Sequence, residues 1–150
     1  MSWSQRLAEL GITLPGVAAP VAAYVPAVRS GAQVFTSGQL PFVEGELAAT
    51  GKVGGEVSPE EAKRHARTCV LNALAAVDAL VGIDSVVRVV KVVGFVASAE
   101  GFTGQPAVVN GASEVLGEIF GEAGAHARSA VGVAELPLGS PVEVELIVEV

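Results

Sequence analysis

The sequence predicts an α+β fold: one mixed sheet of about five strands, with two helices packed on one of its faces. Three observations predict it. The elements read in the order ββ(β)αβαββ. Residues 58–81 carry a capped, amphipathic helical pattern. Residues 86–97 form a strand that is nearly apolar on both sides, with seven valines among its twelve residues. The length of 150 residues suits a single domain spanning 1–150, with residues 1–19 as an N-terminal extension.

Trp3–Leu10 reads as a short helix that stops at Gly11. Prolines at 15, 20 and 26 then keep residues 14–26 extended and out of a central strand. Two strands follow, Ala27–Ser30 and Gln33–Thr36, with Ser30-Gly31 at their turn. Ser37-Gly38-Gln39 closes the second, Phe42–Ala48 is expected as one further short strand, and Thr50–Val57 reads as a loop. The long helix starts at Ser58, with Pro59 at the first helical position and Glu61 placed to complete a capping box. Ala62, Ala66, Cys69, Val70, Ala73, Val77 and Leu80 share one face, and Gly82 ends the helix.

A second helix is expected over Gln105–Glu122, with Val108, Ala112, Val115, Leu116, Ile119 and Phe120 as its apolar stripe. Its glycines at 111, 117 and 121 weaken it or permit close packing. Arg128–Leu136 and Val142–Val150 alternate as strands, joined by a short connection. Two helices cannot cover both faces of such a sheet, yet strand 86–97 has no polar side. Other copies of the same chain are the simplest cover for the second face.

Composition removes several function classes. Lys plus Arg number 9 against 16 Asp plus Glu, a net charge of −7, and no basic cluster is present, which disfavours nucleic acid. One cysteine, Cys69, cannot form an internal disulfide or a cysteine-rich zinc site, and it sits where a buried core residue is expected. Two histidines are too few for most all-histidine metal sites; His65 is expected on a solvated helix flank. Arg88 and Lys91 interrupt the longest apolar run, so no membrane helix is expected. No apolar signal core precedes residue 10, and the expected location is the cytoplasm. Gly45 to Lys52 only faintly resembles a phosphate loop: its spacing is wrong and Val53 stands where Ser or Thr is needed. Ser37 has no histidine near it in sequence for a hydrolytic triad.

Arg128 stands out among the polar residues. It opens a strand whose same-face companions are Ala130, Gly132 and Ala134, which leaves room beside a guanidinium able to grip a carboxylate with two hydrogen bonds. The pattern alone equally allows a structural pair with a glutamate of the last strand. A tight hairpin centred near residue 138 or 139 would set Arg128 opposite about residue 149 and leave Glu143 near the turn. If Arg128 and Glu143 act together, the site needs a neighbouring subunit or an irregular connection.

Tyr24-Val25, the TSGQLP segment at 36–41, the capped helix, VVKV at 89–92, Asn110, and above all RSAVGVAELP at 128–137 followed by VEVE at 142–145 resemble the RidA/YjgF family. Its members are also called reactive intermediate deaminases or L-PSP endoribonuclease-like proteins. The match runs from about Pro20 to Val150 and looks most like a longer bacterial branch with an added N-terminal helix.

The resemblance implies a chorismate-mutase-like fold and a homotrimer with clefts between subunits. It implies hydrolysis of 2-imino acids or their enamine tautomers to 2-oxo acids and ammonia, without a metal or organic cofactor. Residue by residue, it implies that Arg128 holds the substrate carboxylate and Glu143 places the attacking water. Tyr24 would line the cleft, the backbone of Ser37 and Gly38 would meet the substrate, and Asn110 would orient the arginine. The family often has a cysteine where Ala130 stands and a proline where His126 stands. Ala130 would still line the cleft, and His126 is expected at a surface or interface. The loop from Glu44 to Gly55 differs in length from the family pattern and bears on substrate choice.

Three functions compete on these residues. The first is an imine deaminase. The second is a non-catalytic trimeric binder of small carboxylates, using the same clefts. The third, a ribonuclease, fits least, given the acidic balance and the lack of a histidine pair.

Overall fold

Strand pairing fixes the architecture. A computed structural model describes residues 1–17 and 23–150; part of the extended stretch expected at 14–26, namely residues 18–22 with Pro20, lies outside the described residues. In chain order the elements are α1 (Trp3–Glu9), β1 (Ala27–Ser30), β2 (Gln33–Thr36), β3 (Phe42–Val43), β4 (Glu46–Leu47), α2 (Pro59–Val81), β5 (Arg88–Ala97), α3 (Gln105–Phe120), β6 (Ala127–Val133) and β7 (Val142–Glu149). The main sheet is five-stranded and mixed, in the order β1-β2-β7-β5-β6. Among the described strand pairs only β5–β6 is parallel, joined by the crossover through α3.

This order corrects the expected hairpin between the last two strands. β5 lies between β6 and β7, so Arg128 pairs with Val92 and not with residue 149. The β5–α3–β6 crossover lays β6 along one edge of β5, and β7 takes the other. Smaller differences have local causes. Phe42–Ala48 is a hairpin, not one strand, because Glu44 and Gly45 both adopt positive φ (51° and 81°) and reverse the chain. α3 ends at Phe120, and a 3-10 turn over Gly121–Gly124 leads into β6. β6 stops at Val133, short of the expected Leu136. A 3-10 turn at Ile83–Ser85 delays β5 to Arg88.

Helix α2 begins as its sequence dictates: Ser58 Oγ accepts from the Glu61 backbone N–H at 3.1 Å. The Glu61 carboxylate turns toward His65, 3.8 Å away, rather than back to Ser58. His65 is therefore not solvated as expected; its side chain is only 15% exposed, and burial lowers its pKa. Both helices lie on one side of the sheet. Val89, Val92 and Val96 of β5 and Val142, Val144, Leu146 and Val148 of β7 point into that layer and are buried, and Cys69 lies among them. α3 crosses α2 closely at Gly111, where a Cβ would strike the Lys63 carbonyl. α1 docks at the far end: Trp3 Nε1 donates to Val86 O at 2.7 Å, and its ring meets Phe120 edge-on with centroids 5.0 Å apart.

Among the described residues no helix lies over the other side of the sheet. Val28, Phe35, Ile147, Lys91 and Ala127 form one row across five strands, and Glu143, Phe95 and Val131 form another. Val28, Phe35 and Val131 are 52%, 40% and 43% exposed. Among the described residues no helix is long and apolar enough to cross a membrane.

Candidate functional site

Arg128 lies on the helix side of β6, an edge strand, because its partner Val92 points into the helix layer. Its Nη1 donates to Asn110 Oδ1 at 2.7 Å and to Ser113 Oγ at 3.2 Å, and Nη2 donates to Pro106 O at 3.4 Å. All three acceptors belong to α3. Asn110 and Ser113 are one turn apart, so they share a helix face. Among the described residues no carboxylate comes within 4.0 Å of Arg128, which removes the structural pair with a terminal-strand glutamate. Both Nη1 protons are taken by protein. The Nε–H has no partner among the described residues and Nη2 makes only its one longer contact, so the Nε/Nη2 edge is the one that can be offered to a ligand. That edge matches the two oxygens of a carboxylate. Ala130 and Gly132 continue the strand beside it on the same side, facing Gly94 and Val96.

Glu143 lies on the opposite side of the sheet. It alternates with buried Val142 and Val144 and pairs with Phe95. Burial and the neighbouring Glu145 charge raise its carboxyl above the usual range. Gly38 sits against it; a Cβ there would overlap the Glu143 carboxylate. The chain holds this approach through backbone bonds between Gln39 and Val144, at 2.9 and 3.0 Å. Ser37 Oγ donates to Val25 O at 2.7 Å, so its side chain is tied to the segment that carries Tyr24. Tyr24 itself is 46% exposed.

The chain thus brings its expected site residues together in two groups, not one. Arg128, Asn110 and Ala130 form the first; Glu143, Gly38, Ser37 and the Tyr24 segment form the second. Sequence reasoning missed Ser113. Its signal was the three-residue step from Asn110 on a helix, a weak one for so common a residue. His126 is also part of the first group, since its Nε2 lies 2.8 Å from Ser113 Oγ.

A separate groove of about 870 Å³ runs between α2, the β3–β4 hairpin and residues 13–17. Leu14, Phe42 and Leu71 line it, and Glu44 is the only charged side chain among the described residues that do. Among the described residues that line it are none of the expected site residues and no cation to anchor an acid. Among the described residues no cluster of His, Cys, Asp and Glu side chains could hold a metal ion.

Residues 16–150 match the family model described as Endoribonuclease L-PSP. The chain is 46% identical to Protein TCP17 of Trypanosoma cruzi over 146 residues, covering 96% of this chain and 91% of that protein. The solved structure of Atu1372 from Agrobacterium tumefaciens, a protein of unknown function, is 47% identical with a TM-score of 0.89, covering 99% of this chain and 92% of that one. The structure of E. coli TdcF with bound serine is 31% identical with a TM-score of 0.61, covering 91% and 92%.

Proposed function

Since the chain belongs to the endoribonuclease L-PSP family, which is the RidA/YjgF family, we propose that it hydrolyses small 2-imino acids, or their enamine tautomers, to 2-oxo acids and ammonia. The reaction takes place in clefts between the subunits of a homotrimer. One observation carries this reading: a guanidinium with no acidic partner among the described residues, tethered through Nη1 by Asn110 and Ser113, with no partner for its Nε–H among those residues. The serine bound to the relative TdcF also supports a small amino-acid-like ligand.

The chemistry follows from the residue types. Arg128 grips the carboxylate and sets the imine carbon at a fixed height above Ala130. Protonated imine carbon is already electrophilic, so positioning a water supplies much of the rate. Glu143 accepts a proton from that water as its oxygen bonds to carbon. The C=N bond becomes a carbinolamine. Glu143 then returns its proton to the nitrogen, which leaves with the C–N electron pair as ammonia while the hydroxyl proton passes to the regenerated carboxylate and C=O forms. A carboxylate whose pKa is raised by burial is a better base for this step than an exposed one.

Within one chain the two groups cannot meet, because the sheet separates them. A second copy laid with its open face against the β6 edge would bring a Glu143 to this Arg128. The exposed apolar side chains on that face, Val28, Phe35 and Val131, support such a contact. The test is the decay of 2-iminopropanoate or 2-iminobutanoate generated in situ by an amino-acid oxidase. Decay faster than in buffer, abolished by Arg128→Ala, is the expected result. No acceleration alongside measurable pyruvate binding would leave a carboxylate-binding protein instead.

A further inference from the structure

We infer that His126 acts through Ser113 as a positioning residue for the Arg128 anchor. This rests on the reading of Arg128 as the carboxylate anchor, and deepens it.

One hydrogen bond has a forced direction, and in the uncharged ring it sets the next. His126 Nδ1 lies 2.6 Å from Gly124 O, and a backbone carbonyl can only accept, so Nδ1 carries the proton. In the uncharged ring Nε2 then holds a lone pair, and the Ser113 hydroxyl 2.8 Å away donates to it. With its proton committed to His126, Ser113 Oγ turns lone-pair density toward Arg128 Nη1 at 3.2 Å. Asn110 takes the other proton of the same nitrogen at 2.7 Å. Two acceptors on one nitrogen fix the plane of the guanidinium, and that plane decides where the Nε/Nη2 edge points.

Without the histidine, the Ser113 hydroxyl can rotate. It can aim its proton at the cation, or back along the helix at a carbonyl one turn earlier. Arg128 then keeps one firm tether on Nη1. The hydrogen-bond chain starts from a tightly packed point, since Gly124 lies against the Leu116 carbonyl with no room for a Cβ. His126 thus has a specific task at a position where proline, with no side-chain acceptor, could not perform it.

The substitutions separate the two ring nitrogens. His126→Asn can keep a donor for Gly124 O but cannot reach Ser113. His126→Gln puts a carbonyl where Nε2 stood. Pyruvate is the binding probe, measured by titration calorimetry, and imine hydrolysis supplies KM and kcat. His126→Asn and Ser113→Ala should each weaken pyruvate binding and raise KM by about 3- to 10-fold, the scale of one hydrogen bond. Both should change KM far more than kcat. His126→Gln should recover most of the affinity lost in His126→Asn. The double variant should be no worse than either single one, since both cut the same chain.

Wild-type affinity in His126→Asn, additive losses in the double variant, or a His126→Gln as defective as His126→Asn would overturn the inference. Arg128→Ala tells the two levels apart. If it abolishes pyruvate binding while His126→Asn and Ser113→Ala bind normally, only the role of His126 fails. If it leaves pyruvate binding unchanged, the anchor reading fails and this inference falls with it.

Discussion

Arg128 and Glu143 stand on opposite sides of the same sheet, with β5 between their strands and three residues of offset in register. At ordinary sheet spacings that is about 10 Å across and about 10 Å along the strands. The anchor and the base of the proposed reaction therefore belong to different clefts of one protomer, and each needs a neighbour to complete it.

Arg128→Lys should fold normally and lose most activity. A lysine carries the charge but cannot present two fixed protons to a carboxylate. We expect kcat/KM to fall by about 10- to 100-fold, in line with loss of a charge-assisted pair. Steady-state kinetics beside a thermal melt would check this.

Glu143→Gln should lower kcat by about 10²- to 10⁴-fold, the usual reach of a general base, while pyruvate still binds. The raised carboxyl pKa also gives a sign for stability. The unfolded chain ionises Glu143 first, so its penalty on the fold is absent below the ordinary carboxylate range and complete above the raised value. Glu143→Gln should therefore melt slightly higher than wild type near neutral pH, and no higher below about pH 4. A pH series of melts on both proteins tests this.

Gly38→Ala should leave the sheet intact and displace the Glu143 carboxylate, whose space the new methyl would occupy. A displacement of about 1 Å can cost on the order of 10²-fold in rate, so kcat should drop with little change in far-UV circular dichroism.

Much of this was legible in the sequence, and the gaps have physical reasons. Ser58 and Pro59 start α2 where local chemistry requires. The valines of 142–148 alternate because one side of β7 faces the helices. The pairing of β6 was not legible. The connection from residue 134 to 141 is short enough for a hairpin and also long enough to step over one strand, so spacing cannot choose between them. What decides is the parallel crossover through α3, a long-range constraint that leaves no local mark. Asn110 was expected beside Arg128 and lies there. Ser113 was not expected, because one serine on a helix looks like any other until its partners are placed.

Val131→Glu should break the proposed assembly. Val131 is exposed in the row that holds Glu143 and Phe95, and a second acid there would be buried against a neighbour in the proposed assembly. Sedimentation should change from trimer to monomer, with helix and sheet content kept and activity lost.

The composite site is tested most directly by mixing two dead variants. Arg128→Ala and Glu143→Gln are co-expressed with different tags, and mixed assemblies are purified through both. If each cleft draws Arg128 from one subunit and Glu143 from the next, some clefts regain both groups. Every mixed trimer, in either ratio, has one cleft of its three with both groups, so activity should return to about a third of wild type. Mixed assemblies no more active than either variant alone would contradict a site shared between subunits.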